Sequence, residues 1–275
     1  MIEIPEAQTL ASQSNEFLKG RTMTKVEANH TPHGFAWYAG DPVQYPLILT
    51  DRVIEFAFSA GGFVRIRAQD AELVFSDGVN LRLIPAGVKR PAKHQFLAEL
   101  DDGSALVASV QMYGGIMAFP EGTWENGYYQ VAVDKPSPLS DAFSEAYFDE
   151  LCASQPGKLS AKALLATEQR IPGLGNGVLQ DILFYCGIHP KKKLSTLTDG
   201  DKERMYQAIK TVLREMTELG GRDTEKDLLD APGGYPTVLS RKTAGTSCPR
   251  CNAIIKKEAY LGGSIYYCPV CQQAE

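Results

Sequence analysis

The sequence has no apolar run that approaches the ~18–20 residues of a membrane-spanning helix. Its first residues also lack the basic and then apolar segment of a secretory signal. These two absences lead us to expect a soluble, cytoplasmic protein with no membrane partner. With 275 residues, of which 44% are hydrophobic, the chain is long enough for two folded domains.

Positive charge and histidine are both scarce. The formal net charge is −5, which argues mildly against a nucleic-acid partner, but the charge is unevenly distributed. Residues 158–275 contain 17 basic and 13 acidic residues, whereas residues 1–157 contain 11 and 20. The C-terminal part is therefore either an anion-binding module or an ordinary solvated surface. The four histidines show no spacing typical of a metal site or a catalytic triad: His30, His33, His94 and His189.

Hydrophobic periodicity predicts a β-rich first half. Residues 3–19 have roughly helical spacing, and eight short runs rich in β-branched and aromatic residues follow between residues 24 and 133. The runs are PLILT, VIEFAF, FVRIRA, ELVF, LRLI, QFLAEL, ALVASV and YYQVAV. Turn sequences separate them, and this pattern predicts an antiparallel sandwich or barrel.

The second half is predicted to be helical. The segment DKPSPLSD, residues 134–141, is typical of a linker. Four helical segments follow: AFSEAYFDELCAS, KLSAKALLATE, NGVLQDILFYCGI and DGDKERMYQAIKTVLREMTEL. We therefore predict an α+β multidomain protein with a β-sandwich domain over residues 1–133, a helical domain over residues 142–240 and a small cysteine-containing unit over residues 241–275.

Four of the six cysteines form two Cys-x-x-Cys pairs with sixteen residues between the pairs. Each pair suits a tight turn from which two thiolates can reach one ion, and zinc takes four such ligands tetrahedrally at about 2.3 Å. Two disulfides or a redox pair are the alternatives, and a cytoplasmic setting disfavours disulfides. We predict one structural zinc ion, bound by the thiolates of Cys248, Cys251, Cys268 and Cys271.

A glycine-rich turn precedes the third helical segment, in the stretch RIPGLGNGVLQ. Gly173, Gly175 and Gly177 give this turn unusual backbone freedom. The N–H groups and the positive dipole end of the helix that follows can form an anion site. The alternative interpretation is an ordinary helix corner that needs glycine only for close packing. The residue pattern alone leaves both interpretations open.

Three separated motifs together resemble the formamidopyrimidine-DNA glycosylase and endonuclease VIII family of base-excision repair enzymes. The start IEIPE is similar to that family's opening PELPE. The run LLATEQRIPGLGNGVLQDILFYCGIHP resembles its helix–two-turn–helix signature, and CPRC…YYCPVCQ resembles its zinc finger. The motifs have the family's order, so the resemblance covers essentially the whole chain. It implies an N-terminal helix on a two-layer antiparallel β-sandwich, then a helical helix–two-turn–helix domain with a β-hairpin zinc finger.

The resemblance also implies a reaction on damaged double-stranded DNA. The terminal amine attacks C1′ of a nucleotide flipped from the stack, a Schiff base forms, the base departs, and elimination cuts the strand. An α-amine suits this role because its pKa of about 7.7–8.0 leaves roughly a tenth of it neutral at pH 7. By this resemblance the amine is that of Ile2, Glu3 protonates the sugar ring oxygen, and Glu6 assists.

Several positions depart from the family pattern. The family's nucleophile is a proline, whereas position 2 is isoleucine, and a residue this bulky usually leaves Met1 in place. The void-filling Arg and Phe correspond to Met112 and Tyr113, and a basic residue on a sandwich hairpin corresponds to Gln69. These changes affect the residues that recognise the lesion.

The residues that grip DNA match the family better. They are Gly175 and Asn176 on the turn, Lys162 on the preceding helix, and Lys256 and Lys257 on the finger. The resemblance therefore implies a monomer that binds damaged double-stranded DNA in the cytoplasm, or at the nucleoid of a bacterium, without a nucleotide cofactor.

Three functions remain open at this point. The leading hypothesis is a DNA glycosylase with AP lyase activity on oxidised or otherwise damaged bases. The alternative is a catalytically impaired protein of the same fold that binds damaged DNA, which the missing proline motivates. Retention of Glu3 argues against it, because a pure binder has no evident need for that carboxylate. The third hypothesis is a zinc-stabilised protein-interaction module without DNA affinity.

Overall fold

The first helix, α1 (Ile4–Phe17), begins three residues into the chain in the computed structural model, which describes residues 1–273. Glu3 is its N-cap residue, and the Glu6 side chain accepts the backbone N–H of Glu3 at 3.2 Å. Proline in the first turn fits this start, since its missing N–H would have no partner there. The predicted N-terminal helix is therefore confirmed, and both of its glutamates belong to the cap.

Residues 23–120 form seven strands that hydrogen-bond into one sheet. The strands are β1 (Met23–Ala28), β2 (Ala36–Trp37), β3 (Ile54–Ala60), β4 (Phe63–Ala68), β5 (Ala71–Ile84), β6 (Phe96–Leu100) and β7 (Ala105–Pro120). Their order is β1-β6-β7-β5-β4-β3 with antiparallel neighbours, and β2 pairs in parallel with β7.

The two long strands, β5 and β7, bend the sheet into two layers. Their pairing shifts register next to Asp77, which marks a β-bulge. Glycine is required at Gly78 because a Cβ there would lie 2.4 Å from the carbonyl oxygen of Tyr113. The rings of Phe75 on β5 and Phe96 on β6 meet in the core with centroids 5.8 Å apart. The predicted two-layer antiparallel sandwich is confirmed.

Two runs that the sequence predicted as strands are helical. PLILT lies largely in α2 (Tyr45–Leu49), and YYQVAV lies in α3 (Gly127–Asp134). The side chain of Asn126 caps α3 by accepting the backbone N–H of Tyr129 at 2.9 Å. In both helices the buried residues are three or four positions apart. Capping and one-sided burial therefore outweigh the local β propensity of these runs.

The helical part contains the four predicted helices. They are α4 (Glu145–Ala153), α5 (Ala161–Ala166), α6 (Val178–Cys186) and α7 (Asp199–Glu218). The side chains of Ser144, Ser160 and Thr198 accept backbone N–H groups and so begin α4, α5 and α7. Gly187 ends α6 in the left-handed conformation, with φ at 72°. The apolar faces of these helices form a second core.

The last described segment is a β-hairpin flanked by the two cysteine pairs. Strand β8 (Lys256–Tyr260) pairs antiparallel with β9 (Gly263–Tyr267). Helix α6 supports the hairpin, because the side chain of Gln180 accepts the backbone N–H of Tyr266 at 2.9 Å. Within residues 1–273, no helix is both long and apolar enough to cross a lipid bilayer.

The first residues of the chain join the two cores. Ile2 packs in the core of the sandwich, whereas Ile4 packs in the core of the helical part. The backbone N–H of Ile4 donates to the carbonyl of Gly173 at 3.0 Å. Gly173 has φ at 76°, and a Cβ there would lie 2.2 Å from the carbonyl carbon of Gly61. This contact between a sandwich turn and the glycine-rich turn holds the N-terminus between the two halves.

Candidate active site and nucleic-acid interface

A cavity of about 470 Å³ lies between the sandwich and the helical part. Its walls are the first three residues of the chain, the β5 bulge, the glycine-rich turn and the tip of the β8–β9 hairpin. The first residues line this cavity because α1 begins at the contact between the two cores. The cavity is therefore the place where chemistry by the N-terminus could act on a bound molecule.

The carboxylate of Glu3 binds the start of α6. Its two oxygens accept the backbone N–H groups of Gly175 at 3.2 Å, of Gly177 at 2.8 Å and of Val178 at 2.8 Å. The residue is only 3% exposed. The anion at this helix N-terminus is thus the protein's own carboxylate, which is favourable beside the positive end of the helix dipole.

The glycines of the turn are also required for packing. A Cβ on Gly175 would lie 2.7 Å from the Glu3 carboxyl carbon, and one on Gly177 would lie 1.4 Å from an Arg222 nitrogen. Neither position could accept any other residue without moving this carboxylate or this guanidinium. The turn is therefore a closely packed corner and also an anion site, because the close packing places its N–H groups within hydrogen-bonding distance of the Glu3 carboxylate.

A buried arginine pairs with both glutamates of the α1 cap. Arg222 donates from Nε and Nη2 to the two oxygens of Glu6, at 2.9 and 2.8 Å, and its Nη1 lies 3.5 Å from Oε1 of Glu3. All three residues are at most 5% exposed. Two carboxylates share one guanidinium, so these three side chains carry a net charge of −1 when both carboxyls are ionised and are neutral when one is protonated.

The surroundings drive the two carboxyl pKa values apart. Burial raises the pKa of Glu3, and the opposing effects of Arg222 and of the helix N–H groups do not cancel it. Burial also acts on Glu6, but the charge and the hydrogen bonds of Arg222 outweigh it and lower the pKa of Glu6. Of the two carboxyls, Glu3 is therefore the one whose pKa is shifted towards that of a proton donor, and Glu6 is the one whose ionised form is favoured.

The amine of Met1 and the backbone nitrogen of Ile2 have different partners. The Met1 amine forms an ion pair with Glu225, whereas the Ile2 N–H donates to the carbonyl of Asp77 at 2.6 Å. Ile2 is 6% exposed and lines the cavity beside Glu3. Residues 1, 2 and 3 all line the cavity, but the amine of residue 1 is engaged by Glu225.

Three predicted DNA-gripping residues come together at the tip of the hairpin. The ammonium of Lys162 donates to the carbonyl of Tyr260 at 2.6 Å, and the Asn176 amide donates to the carbonyl of Ser264 at 2.9 Å. Both side chains, together with Gly175, line the cavity. Burial lowers the pKa of Lys162. Lys162 and Asn176 thus tie the hairpin tip to the helical part, and Lys162 is only 3% exposed.

The other predicted site residues divide between the cavity and the outside. Met112 and Tyr113 line the cavity, and Met112 is 67% exposed. Lys256 and Lys257 are exposed, but they pair with Tyr267 and Tyr266 at the end of the hairpin away from its tip. Gln69 does not line the cavity either, because it lies in the turn between β4 and β5.

A second cleft of about 530 Å³ continues from the first. The two share Asp77, Tyr113 and Tyr128 as lining residues. Both tryptophans of the chain, Trp37 and Trp124, also line the second cleft. The Trp37 ring lies 5.7 Å from that of Tyr113. Flat aromatic faces beside a reaction cavity suit an unstacked planar group.

The four paired cysteines converge. Their ligand atoms all lie within 4.8 Å of one another, with Sγ–Sγ distances of 3.9 Å for Cys248–Cys271 and 3.3 Å for Cys251–Cys268. These separations exceed the ~2.05 Å of a disulfide and are near the ~3.8 Å edge of a tetrahedron with 2.3 Å metal–sulfur bonds. The donor set therefore fits a tetrahedral thiolate site.

Sequence reasoning missed Arg222, Glu225 and Asp77. The first two follow the Gly220–Gly221 stop of α7, where the pattern shows only a polar loop. Asp77 lies in SDG, which reads as an ordinary turn but forms the β-bulge. A buried charge in a loop leaves no periodic signal, so only the tertiary contact reveals it.

Comparisons with known proteins agree with this arrangement. Residues 135–227 match the model of the formamidopyrimidine-DNA glycosylase H2TH domain. The formamidopyrimidine-DNA glycosylase of Cronobacter sakazakii is 29% identical over 287 residues, which cover 99% of this chain and all of that protein. The fold is that of Lactococcus lactis Fpg in a complex with DNA containing an abasic site, with a TM-score of 0.84 and 22% identity over 98% of this chain and 99% of that one.

A second solved structure has the same fold. MutM (Fpg) of Thermus thermophilus gives a TM-score of 0.80 at 22% identity, over 99% of both chains. The shared fold therefore extends over both halves of this chain. The matched H2TH domain, the full-length relatives and the shared fold thus all make this chain similar to formamidopyrimidine-DNA glycosylases.

Proposed function

We propose that the protein is a base-excision-repair DNA glycosylase with AP lyase activity, in which the amine of Ile2 is the nucleophile and Glu3 is the acid. The observation that carries this proposal is the position of the Ile2 nitrogen and the Glu3 carboxyl in one cavity, with the pKa of Glu3 raised by burial. Homologous glycosylases and a homologue bound to abasic DNA support the substrate class.

In the proposed reaction the Ile2 amine and the Glu3 carboxyl have separate tasks. After removal of Met1, the Ile2 amine attacks C1′ of an extruded nucleotide, the glycosidic bond breaks, and the base leaves with a proton. Glu3 donates its proton to the ring oxygen, so the sugar opens and the C1′–nitrogen bond becomes an imine. Loss of a proton from C2′ then expels the 3′-phosphate. Arg222 keeps Glu6 ionised beside this acid.

Borohydride trapping combined with intact-mass analysis tests this proposal. We expect the purified protein to lack Met1 and to form a covalent adduct with DNA that contains an abasic site or an oxidised base. Release of the base without a trapped adduct would contradict the lyase part of the proposal. If a chain that begins at Ile2 neither releases the base nor forms an adduct, the glycosylase part of the proposal is contradicted.

One observation favours a second function, a non-catalytic binder of damaged DNA. The Met1 amine is paired with Glu225, which would hold it out of reaction in a chain that retains Met1. Such a chain would bind abasic DNA without turnover, and Glu3→Gln would not change its affinity. Trapping of a chain whose measured mass includes Met1 would exclude this explanation.

Lys162 and Asn176 support the proposal of a DNA grip that is independent of the lesion. We expect Asn176→Ala and Lys162→Ala to weaken binding of damaged and undamaged duplexes by the same factor, since both contact the hairpin tip. Lys162 is only 3% exposed, so the lysine variant should act through the position of the hairpin tip and leave the salt dependence of binding unchanged. Met112→Ala and Tyr113→Ala should instead change the ratio between lesions. Fluorescence anisotropy across several salt concentrations separates the two classes.

The aromatic cleft supports the proposal that an unstacked base lies beside the reaction cavity. Because both tryptophans line this cleft, binding of DNA with a flippable damaged base should quench the intrinsic fluorescence. Tyr128→Ala should weaken binding of that DNA by roughly 1–3 kcal/mol, the contribution of one base–aromatic stack. Phe56→Ala is the matched control, since this exposed aromatic lies on β3 outside both clefts. Equal quenching by undamaged duplex would contradict the prediction.

We propose that the four-cysteine cluster holds one structural zinc ion. The four thiolates would be its ligands, and zinc would supply folding free energy to the hairpin that carries the tip. We expect Cys268→Ser to lose the metal and to weaken DNA binding, because Lys162 and Asn176 are hydrogen-bonded to this hairpin. Elemental analysis checks the metal content. Cys152→Ala, which changes a thiol outside the cluster, should retain the ion.

A further inference from the structure

A cluster of two imidazoles and one carboxylate lies at the β1 edge of the sheet, outside both clefts. Glu27 is on β1, His30 follows that strand, and His94 precedes β6. One ligand atom from each residue lies within 4.8 Å of the others. The sequence pattern predicted no metal site among the histidines, because His30 and His94 are distant along the chain and meet only through the pairing of β1 with β6.

The backbone holds these residues in place. Glu27 lies opposite Leu97 in the antiparallel pair, and the pairing continues past the ends of the strands. The N–H of Asn29 donates to the carbonyl of Gln95 at 2.7 Å, and the N–H of Thr31 donates to that of His94 at 3.0 Å. The three side chains therefore project from a ladder that is already formed before any ligand binds.

One histidine nitrogen in the cluster is buried and has no hydrogen-bond partner. Nδ1 of His94 lies 3.0 Å from the carbonyl oxygen of Pro91, and since a carbonyl only accepts, Nδ1 carries the hydrogen. The neutral ring then has its lone pair on Nε2. This atom is buried in a residue that is 5% exposed, and it lies 3.5 Å from Oε2 of Glu27 without hydrogen-bond geometry.

A lone pair that faces a carboxylate oxygen is unfavourable unless a positive group lies between the two atoms. The other oxygen of Glu27 lies 2.9 Å from Nδ1 of His30, and the two imidazole rings are parallel with centroids 4.6 Å apart. The His30 side chain is 45% exposed, so its ring can turn out of this stack. One metal ion would then accept a lone pair from each ring and from the carboxylate.

The distances suit such an ion. Metal bonds of about 2.0–2.2 Å to imidazole nitrogen and carboxylate oxygen place neighbouring ligand atoms roughly 3–3.5 Å apart. The two separations that join Glu27 to the histidines are 2.9 and 3.5 Å. A metal-binding histidine usually donates its other ring N–H to an acceptor, which fixes the orientation of the ring. The hydrogen bond from Nδ1–H of His94 to the Pro91 carbonyl is a contact of this kind.

We propose that Glu27, His30 and His94 form a second metal site, which binds a divalent transition metal such as Zn²⁺ or Co²⁺. Two imidazoles and one carboxylate select these ions over Ca²⁺ and Mg²⁺ and leave coordination positions open. The open positions face solvent, because the side chains of Glu27 and His30 are 39% and 45% exposed. The ion joins the loop that follows β1 to the segment that precedes β6. This inference is independent of the proposed function.

Metal counting tests the site. Protein is incubated with excess ZnCl₂, separated from free metal by rapid desalting, and analysed for zinc per chain. We expect one more ion in the unaltered protein than in Glu27→Gln or His30→Ala. His33→Ala is the matched control and should keep both ions, since this neighbouring histidine lies outside the cluster. Equal zinc content in the unaltered protein and the two cluster variants would overturn the proposal.

A cobalt titration shows whether a metal ion or a proton lies between Glu27 and His94. It needs no desalting step, so a weakly bound ion is also detected. Co²⁺ is added to the zinc-loaded protein. We expect d–d absorption without thiolate charge transfer, and at least tenfold weaker binding by His30→Ala. If a single proton on His94 satisfies the cluster, Zn²⁺ will leave the ring-proton NMR signals of His30 and His94 unchanged below millimolar concentration. That result, or absence of the d–d bands, would overturn the proposal.

Discussion

Glu3→Gln is expected to reduce base release by roughly 10²–10⁴-fold, the usual contribution of a positioned general acid. Glutamine retains one oxygen, which in the place of Oε2 can accept the N–H groups of Gly175 and Val178, so the fold should survive. It has no proton to give to the sugar ring oxygen. Single-turnover kinetics on a duplex with an oxidised base measure the loss directly.

The pH profile adds a second readout of Glu3. Since burial raises its pKa and only the protonated form can donate, base release should fall as pH rises through that raised value. This limb should be absent in Glu3→Gln. Glu16→Gln, on the exposed face of the same helix, is the control and should keep both rate and profile. An unchanged profile in Glu3→Gln would mean that another group supplies the proton.

Arg222→Met is expected to destabilise the protein by about 3–5 kcal/mol, the usual cost of removing one partner from a buried ion pair. The side chain is 3% exposed and pairs with two carboxylates that are themselves buried. The variant should also raise the pKa of Glu6, because its main stabilising charge is gone. Unfolding in urea measures the change in free energy.

Two further variants show whether the loss comes from the unpaired charge. Arg214→Met changes an exposed arginine on α7 and should cost less than ~0.5 kcal/mol. Adding Glu6→Gln to Arg222→Met should recover part of the stability, because it removes one of the two stranded carboxylates. A double variant less stable than either single variant would show that packing of the arginine, rather than charge balance, dominates.

The chain's large features were predictable because they leave local signals. Two Cys-x-x-Cys pairs predicted the cysteine cluster, and apolar periodicity predicted α4 to α7. The contact of the glycine-rich turn with Glu3 was not predictable in this form. The pattern showed only that glycine was required, while the partner that fills the space lies 172 residues earlier in the chain.

The remaining differences come from tertiary contacts that no short window contains. YYQVAV is locally strand-like, yet Asn126 caps it as a helix and Tyr129 buries one side. Arg222 lies in a polar loop and becomes a buried charge only because the α1 cap meets it. His30 and His94 show no metal spacing until the β1–β6 register brings them together. In each case the deciding neighbour is distant in sequence.

Peptide mapping of the borohydride-trapped complex tests the central claim most directly. The protein is reduced in the presence of DNA that contains an abasic site, digested, and analysed by mass spectrometry. The account predicts that the sugar remnant is attached to the α-nitrogen of Ile2, in a peptide that begins at that residue. A remnant attached to a lysine side chain, with the N-terminal peptide unmodified, would contradict it.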